Sequence, residues 1–545
     1  MKKNQIVNVV IGDITSDGNG VGRIGDEVVF IPFSAVGDEL KIQIVKVKKN
    51  FCYGKIVEIL KPSPDRVDSD CAVFGKCGGC AFRHISYAAQ CELKKKFVEN
   101  NMRRIGGFKD FSCRPVISVS DRRDCYRNKA QYPVQLTDQN RVIAGFYSPR
   151  SHRVTECEFC RLQPPVFSEI VEAVKEYAES EKISVYNEVL HTGSLRHIYI
   201  RTAEATGEIM VVLVINAKKL KNIEALLDKL KNLLGERLVS LQYNINTEKT
   251  NVILGKKCIT VYGKDSIFDT LCGLEFRISP LSFYQVNRTV AELIYKKAAE
   301  YAEPSGKIVL DLYCGAGTIG MSMADRAKQV IGVEIVKEAV EDAVFNAQKN
   351  QVENIRFICD DACGAAKLMK SEGIKPDVII IDPPRKGCDE ALLKIIANDF
   401  ECDRIVYVSC DSATLARDCK ILSELGYALK EATPADLFPA TAHVETVVLL
   451  SKLKSTHHIE VEIELDKMDL TKAESKATYA EIKDYVLKKY GLKVSQLYIA
   501  QVKRKHGIIE RANYNVGEGK NRVPKVTPEK ESAIEDALRY FQMIE

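Results

Sequence analysis

Two segments of this 545-residue chain run out of apolar stretches into residues that react or carry charge. Val378-Ile-Ile-Ile-Asp382 leads into Pro383-Pro384-Arg385, and Arg404-Ile-Val-Tyr-Val-Ser-Cys410 follows about thirty residues later. Both runs are β-rich and of strand length. In an open α/β sheet the carboxyl ends of parallel strands border the ligand crevice, so the Asp382 carboxylate and the Cys410 thiol are expected side by side. Few reactions want both next to a nucleotide-type cofactor; alkylation of an unreactive pyrimidine carbon is one. Glu445, within the apolar run His443-Val-Glu-Thr-Val-Val-Leu-Leu450, adds a candidate base, because half-burial raises a carboxylate's affinity for a proton. The plainer readings are a buried structural cysteine and a surface-strand glutamate.

Ile308-Val-Leu-Asp-Leu-Tyr-Cys-Gly-Ala-Gly-Thr-Ile-Gly320 reads as a buried strand, a glycine turn and a helix start. Its Gly315-Ala-Gly317-Thr-Ile-Gly320 formally matches a dinucleotide fingerprint, a weak signal by itself. Val330-Ile-Gly-Val-Glu334 ends a second strand with a carboxylate suited to a ribose diol. Up to this point NAD and S-adenosylmethionine fit equally. The acidic pair Asp360-Asp361 after a third strand could read an adenine edge, and Asp311 on the first strand suits a cationic sulfonium better than a pyrophosphate. With Asp382-Pro-Pro and Ser-Cys downstream, S-adenosylmethionine is the expected cofactor.

Cys71-Ala-Val-Phe-Gly-Lys-Cys77-Gly-Gly-Cys80 places three thiols close together, with glycines that free the backbone to wrap an inorganic core. Cys157-Glu-Phe-Cys160 supplies two candidates for a fourth ligand. Four thiolates suit either Zn or a [4Fe–4S] cluster. Elsewhere Cys258, Cys272, Cys359 and Cys402 sit in apolar runs and read as small core residues.

Five motifs occur in order: Ile278-Ser-Pro-Leu-Ser-Phe-Tyr-Gln-Val-Asn287, Asp311-Leu-Tyr-Cys-Gly-Ala-Gly-Thr318, Asp382-Pro-Pro-Arg-Lys-Gly387, Val408-Ser-Cys-Asp-Ser-Ala-Thr-Leu-Ala-Arg-Asp418 and Phe438-Pro-Ala-Thr-Ala-His-Val-Glu445. Together they resemble the RNA uracil-C5 methyltransferase family, over residues 1 to about 452. The resemblance implies Cys410 as nucleophile and Glu445 as base, with Asp382 orienting the uracil. It also implies that Gln285, Tyr313, Glu334, Asp361 and Asp382 line the cofactor site. Position 318 is Thr where some relatives carry a contacting amide, so it is left out of the expected set. For the cysteines the resemblance favours iron–sulfur over Zn and, through the Cys160-Arg-Leu-Gln-Pro context, names Cys71, Cys77, Cys80 and Cys160 as ligands. The ribosomal RNA branch, with its N-terminal barrel and cluster, is favoured over the transfer RNA branch, the target being a single-stranded or loop uridine in 23S ribosomal RNA.

The elements that must position these residues divide the chain into four expected parts. Residues 1–62 alternate apolar and polar positions between Gly/Asp turns and read as a small OB-like β-barrel; Gly18-Asn-Gly-Val-Gly-Arg-Ile-Gly25 and Val36-Gly-Asp-Glu39 resemble the TRAM module, the plainer reading being a spacer barrel. Residues 63–280 read as an α+β central domain holding the cysteines. Three stretches there (122–132, 145–153 and 196–201) interleave cations with aromatic rings, as stacking on splayed RNA bases requires. Residues 281–453 alternate strand and helix patterns, a Rossmann-like α/β methyltransferase domain. Residues 454–545 read as a small helical extension, with patterns over 477–490 and 528–541 and the basic Lys503-Arg-Lys-His506 between them; an added nucleic-acid contact and a packing appendage stand level.

Bulk composition agrees with a multidomain protein: 46% hydrophobic and 28% charged residues are ordinary, and the net charge of +5 permits a nucleic-acid partner without demanding one. No apolar run is long enough for a bilayer, and no signal-peptide core follows Met1, so a cytoplasmic, non-membrane monomer is expected. Two rivals remain: an amino-group methyltransferase clamping its substrate with Asp382-Pro-Pro, which needs no thiol, and a non-catalytic, metal-dependent RNA-binding protein.

Overall fold

The computed structural model describes residues 1–400, 402–453, 478–506, 508, 526–541, 543 and 544. It divides into two compact units, Met1–Lys454 and Ser455–Glu545.

The first unit opens with a closed five-stranded barrel in the order β1-β2-β3-β5-β4. Its strands are β1 (Ile6–Ile14), β2 (Asn19–Ile24), β3 (Glu27–Pro32), β4 (Glu39–Val47) and β5 (Phe51–Lys61). Leu40, Ile42 and Ile44 alternate inward along β4 and, with Val9, Ile11, Val29 and Ile31, fill the interior. The glycine-rich segment is itself a strand, β2, because a side chain at Gly22 would put its Cβ 2.3 Å from Val9 Cγ2. The 61–66 connection is anchored rather than loose. Asp38, fully buried, accepts from the N–H groups of Ala35 and Ser63 and pairs with Arg66. Burial opposes its ionisation, yet Arg66 and the two amides hold its carboxyl below the ordinary range.

Next come α1 (Tyr87–Arg104) and the short β6 (Ser112–Cys113). The central sheet has seven strands in the order β13-β12-β11-β10-β7-β8-β9. These are β7 (Lys129–Leu136), β8 (Val142–Tyr147), β9 (Val154–Glu156), β10 (Leu195–Thr202), β11 (Ile209–Ile215), β12 (Leu238–Ile245) and β13 (Lys257–Gly263). Helices α2 (Val166–Ser180) and α3 (Ile223–Leu234) cover one face of this sheet through Ile170, Val174, Leu226 and Leu230. A hairpin, β14 (Ile267–Leu271) and β15 (Leu274–Ile278), and α4 (Arg288–Ala302) lead into the last layer.

That layer is an eight-stranded sheet in the order β18-β17-β16-β19-β20-β22-β21-β6. Its strands are β16 (Ile308–Leu312), β17 (Gln329–Glu334), β18 (Ile355–Cys359), β19 (Val378–Ile381), β20 (Arg404–Ser409), β21 (Tyr427–Ala435) and β22 (Glu445–Lys452). The five from β16 to β20 are parallel, separated by α5 (Thr318–Met321), α6 (Lys337–Lys349), α7 (Ala362–Ser371) and α8 (Glu390–Asn398); α9 (Ser412–Glu424) then connects to the closing hairpin. β22 pairs antiparallel with β20. Both faces are covered, which is why the central strands are uniformly apolar. The N-terminal half contributes to this layer: β6 extends the sheet beside β21, and Val98 and Met102 of α1 join its core. Cys402 is buried as expected, whereas Cys258 and Cys272 are only half-buried. Cys359 is exposed at the end of β18, so it is not the core residue that its apolar run suggested.

The second unit contains α10 (Tyr479–Tyr490), α11 (Gln496–Lys505) and α12 (Pro528–Tyr540), packed through Ile482, Val486, Ile499, Val502, Ile534 and Leu538. Ala477, the first residue of the expected helix, lies outside the described residues. Among the described residues no helix is long and apolar enough to cross a membrane.

Candidate active site

Parallel register brings the strand ends together. Leu312 of β16 pairs with Ile381 of β19, so Tyr313 and Asp382 leave adjacent strands at the same level. Ser409 of β20 pairs with Thr446 of β22, and one step further in the same antiparallel register Cys410 stands against Glu445. Tyr313, Asp382, Cys410 and Glu445 line one cavity of about 580 Å³, together with Gln285, Glu334, Arg385, Phe283, Phe438 and His443.

The cavity floor is shaped by the turn after β16. Gly315 and Gly317 adopt positive φ, and so does Tyr313, at 63°, a conformation a bulky residue rarely takes. A Cβ at Gly317 would meet Phe357 and Met321 at 3.0 Å as well as straining the backbone. Glu334 is fixed by two amides: Gly315 N–H donates to Oε2 (3.2 Å) and Val336 N–H to Oε1 (2.9 Å). This leaves carboxylate lone pairs facing the cavity, as a diol requires. Asp311 sits one residue short of the strand end. It is 1% exposed and accepts from Gly320 N–H at 2.9 Å, so it braces the glycine turn from beneath and does not line the cavity.

Asp361, expected at the adenine edge, also lies outside the lining. It is the N-cap of α7, accepting from Gly364 N–H at 2.8 Å. Thr318, left out of the expected set, does line the cavity, its hydroxyl 3.1 Å from that of Tyr295. Arg385, His443, Phe283 and Phe438 were not singled out as site residues, although each stands inside a motif quoted above. Asn128 holds Gln285 in place by donating to its carbonyl at 2.9 Å.

Three acids share this confined space. Burial pushes Asp382 up to about 7. Burial, then the charge of Asp382, pushes Glu445 up to about 8, with Arg385 opposing. Burial, then Glu445 and Asp382, pushes the Cys410 thiol up to about 11, again against Arg385. Each group thus resists ionisation while its neighbours are charged. The arrangement can move a proton between adjacent acids and present a nucleophile against a planar substrate walled by Phe283 and Phe438.

The 436–445 segment carrying Phe438, His443 and Glu445 is held from the N-terminal half. Fully buried Lys94 of α1 pairs with Asp436 and donates to Phe438 O at 3.0 Å. Tyr126 donates to Pro439 O (3.1 Å). Ala440, at φ 65°, accepts from Ala81 and Phe82 N–H and donates to Gln90 Oε1.

Ala81 directly follows Cys80, and Cys71, Cys77, Cys80, Cys157 and Cys160 line a second cavity of about 150 Å³ with Phe74 and Phe146. Burial pushes Cys80 up to about 12, whereas the Cys157 S–H, bonded to Cys160, draws Cys160 down to about 7. Among the described residues no group of three or more His, Cys, Asp or Glu is set for a single metal ion. The donor set and its cradle suit a multinuclear sulfur-ligated core. The five sulfurs share this one small cavity, and Gly79 lines it beside Cys77 and Cys80.

The cation-aromatic stretches divide. Arg196 is 4% exposed and donates to the carbonyls of Asn246, Glu248 and Thr250, while Arg201, fully buried, donates to those of Ser279 and Ser282. Both are struts of the fold rather than phosphate contacts. Arg122 pairs with Glu204, and Arg127 lies 5.5 Å over the Phe438 ring.

Comparison with known proteins agrees with this geometry. Residues 86–453 match the family described as tRNA (uracil-5-)-methyltransferase, and residues 2–57 match the TRAM domain. A Clostridium tetani protein described as an uncharacterized RNA methyltransferase is 42% identical over 452 residues, 83% of this chain and 97% of that protein. A Staphylococcus epidermidis protein of the same description is 43% identical over 450 residues, 82% and 98% respectively. The crystal structure of Pyrococcus abyssi tRNA (uracil-54, C5)-methyltransferase in complex with S-adenosyl-L-homocysteine superposes with a TM-score of 0.63 at 29% identity, over 82% of this chain and 100% of that one. The chain belongs to the tRNA (uracil-5-)-methyltransferase family, with an N-terminal TRAM barrel.

Proposed function

We propose that this protein forms 5-methyluridine in RNA from S-adenosylmethionine, through a covalent bond between Cys410 and the target base. The observation that carries the reading is the register that sets Cys410 against Glu445 in a cavity also lined by Asp382. Uracil C5 is a weak nucleophile. Addition of the Cys410 thiolate to C6 moves electrons onto the C4 oxygen and gives C5 carbanion character. The cofactor supplies a methyl group on a positively charged sulfur, and Gln285, Tyr313, Glu334, Asp361 and Asp382 would hold it, Asp361 through the carboxylate oxygen that its bond from Gly364 leaves over. Asp382 orients the uracil through its imide edge. Glu445 then removes the C5 proton as the C6–S bond breaks, which returns the thiolate.

For the target, 23S ribosomal RNA is our first choice, supported by the barrel and cysteine motif that the ribosomal branch carries. Transfer RNA is the second reading, favoured by the Pyrococcus enzyme named above. Radiolabelled methyl transfer to ribosomal and transfer RNA fractions from cells lacking the gene decides between them, because only the true target regains 5-methyluridine. The enzyme is proposed to act as a cytoplasmic monomer.

A [4Fe–4S] cluster on Cys71, Cys77, Cys80 and Cys160 is part of the proposal, supported by five thiols in one cavity; Cys157 lines it too and is the alternative fourth ligand. Its role would be to brace the 77–82 loop that bonds Ala440. Anaerobic purification should yield about four iron and four sulfide per chain; stoichiometric Zn without iron would replace the cluster by a zinc site. The covalent mechanism is tested with RNA containing 5-fluorouridine. Wild type should be captured as a denaturation-resistant adduct because fluorine cannot leave C5 as a cation, and Cys410→Ala should not be. Comparable turnover by Cys410→Ala would move the amino-group reading ahead.

A further inference from the structure

The central sheet carries another cavity, about 890 Å³, on residues that neither the methyl-transfer site nor the cysteine cavity uses. That is larger than the roughly 580 Å³ cavity that has to take a uridine and a cofactor together. Two half-buried tyrosines border it. Tyr147 lies against His152 with ring centroids 5.3 Å apart and planes 32° from parallel. Tyr186 carries the Arg196 guanidinium 4.2 Å from its centroid. His152 is oriented by Glu188 at 2.9 Å, and Lys249 stands exposed at the edge.

His197 marks this as a built site. The residue is 8% exposed and its Nδ1 is buried with no hydrogen-bond partner, which leaves Nε2 as the nitrogen that a ligand in the cavity can reach. Burial, then Arg196, holds it down to about 4, so the imidazole is neutral at physiological pH and offers a ligand Nε2. A bulge between Leu195 and His197 lets both Arg196 and His197 border the cavity from one strand.

The cavity is also in line with the active site. His197, Tyr199 and Arg201 alternate onto one face of β10. Tyr199 donates to Pro280 O at 3.1 Å, and Arg201 to Ser279 and Ser282, just ahead of the cavity-lining Phe283 and Gln285. Four residues of strand separate His197 from Arg201, about 13 Å. Beside them on β7, opposite in register, stand Pro133, Gln131 and Lys129.

We propose that this cavity is a second RNA subsite, which holds one or more unpaired nucleobases of the substrate strand a few nucleotides from the methylated uridine. Stacking on Tyr147 and Tyr186, a base edge read by His197 and a phosphate near Lys249 together select for single-stranded RNA. This rests on RNA being the substrate.

The test uses full-length wild-type enzyme and RNA from cells lacking the gene, substituted with 4-thiouridine and irradiated. Nucleotide adducts on peptides containing Tyr147, Tyr186 or His197 are expected. Adducts confined to the barrel and the Cys410 cavity would overturn the proposal. In a second arm, His152→Ala/Lys249→Ala changes only exposed side chains. It should raise KM for that RNA about tenfold and leave kcat within about twofold; an unchanged KM would also overturn it. Failure of the methyl-transfer reading would show separately, as absence of 5-methyluridine while adducts at this cavity persist.

Discussion

Cys410, Glu445 and Asp382 form a set whose protonation states depend on one another. In the free enzyme both the thiol and the Glu445 carboxyl must lose a proton to act, and both are held high, at about 11 and about 8. Log kcat/KM should therefore climb with pH from 7 to beyond 8, and a profile falling over that range would remove Glu445 as the base. Glu445→Gln should allow addition and methylation but stall at proton removal, so a protein–RNA adduct accumulates with ordinary RNA; wild-type-like turnover would assign the base elsewhere. The same substitution has a stability signature. Glu445 has a folded pKa above its unfolded value, so ionising it in the fold costs nothing below pH 4.5 and costs progressively more as pH rises toward 8. The neutral Gln escapes that cost. Thermal melts should show Glu445→Gln gaining a few degrees over wild type at pH 8.5 and little at pH 4.5. An equal difference at both pH values would mean the carboxyl is not strained by burial.

At the scale of elements, the active-site segment 436–445 is fixed by groups more than 300 residues away. Lys94 and Asp436 are both fully buried and 342 residues apart in sequence. Lys94→Met alone should destabilise by about 3–5 kcal/mol, since it leaves a buried carboxylate unpaired. Lys94→Met/Asp436→Leu should recover much of that stability. Its kcat should stay low all the same, because Phe438 O loses its anchor; recovery of kcat together with stability would make the pair structural only. Gln90→Leu should act in the same direction but less, as it removes the acceptor of Ala440 N–H and leaves the bonds from Ala81 and Phe82 to its carbonyl. None of this could be read along the chain, because a long-range ion pair leaves no periodic trace. The parallel strands were legible because burial on both faces makes them continuous apolar runs, and Asp382 and Cys410 stand at their ends. β2 was less so, as its glycines look like turn residues until Val9 is seen packed against Gly22. Asp361 caps α7 through Oδ1, and this role is compatible with a ligand contact, because the bond from Gly364 leaves its second oxygen over.

On the scale of the whole molecule, the family and TRAM matches cover the first unit and stop short of the second. The Clostridium and Staphylococcus relatives are matched over 97–98% of their own length by about 450 residues of this chain. The family and TRAM matches together end at residue 453. Ser455–Glu545 has its own core and engages three of the four residues of its basic run internally, Arg504 being exposed. Lys503 is 5% exposed and lies 4.5 Å over the Tyr479 ring, Lys505 pairs with Glu531 at 2.6 Å, and His506 with Glu535 at 2.9 Å. Those contacts favour a packing role for Lys503-Arg-Lys-His506 over a phosphate-binding one, since a cation already paired has to give up its partner to bind RNA. A chain ending at Leu453 retains the barrel, the central sheet and every residue lining the 580 Å³ cavity. It should fold, melt within a few degrees of the full chain, and form 5-methyluridine with kcat and KM within about threefold, a change of less than about 1 kcal/mol. A tenfold rise in KM with unchanged kcat would instead assign the extension to RNA capture, and charge-reversal of the exposed Arg504 and Lys505 should then reproduce it in the full-length protein.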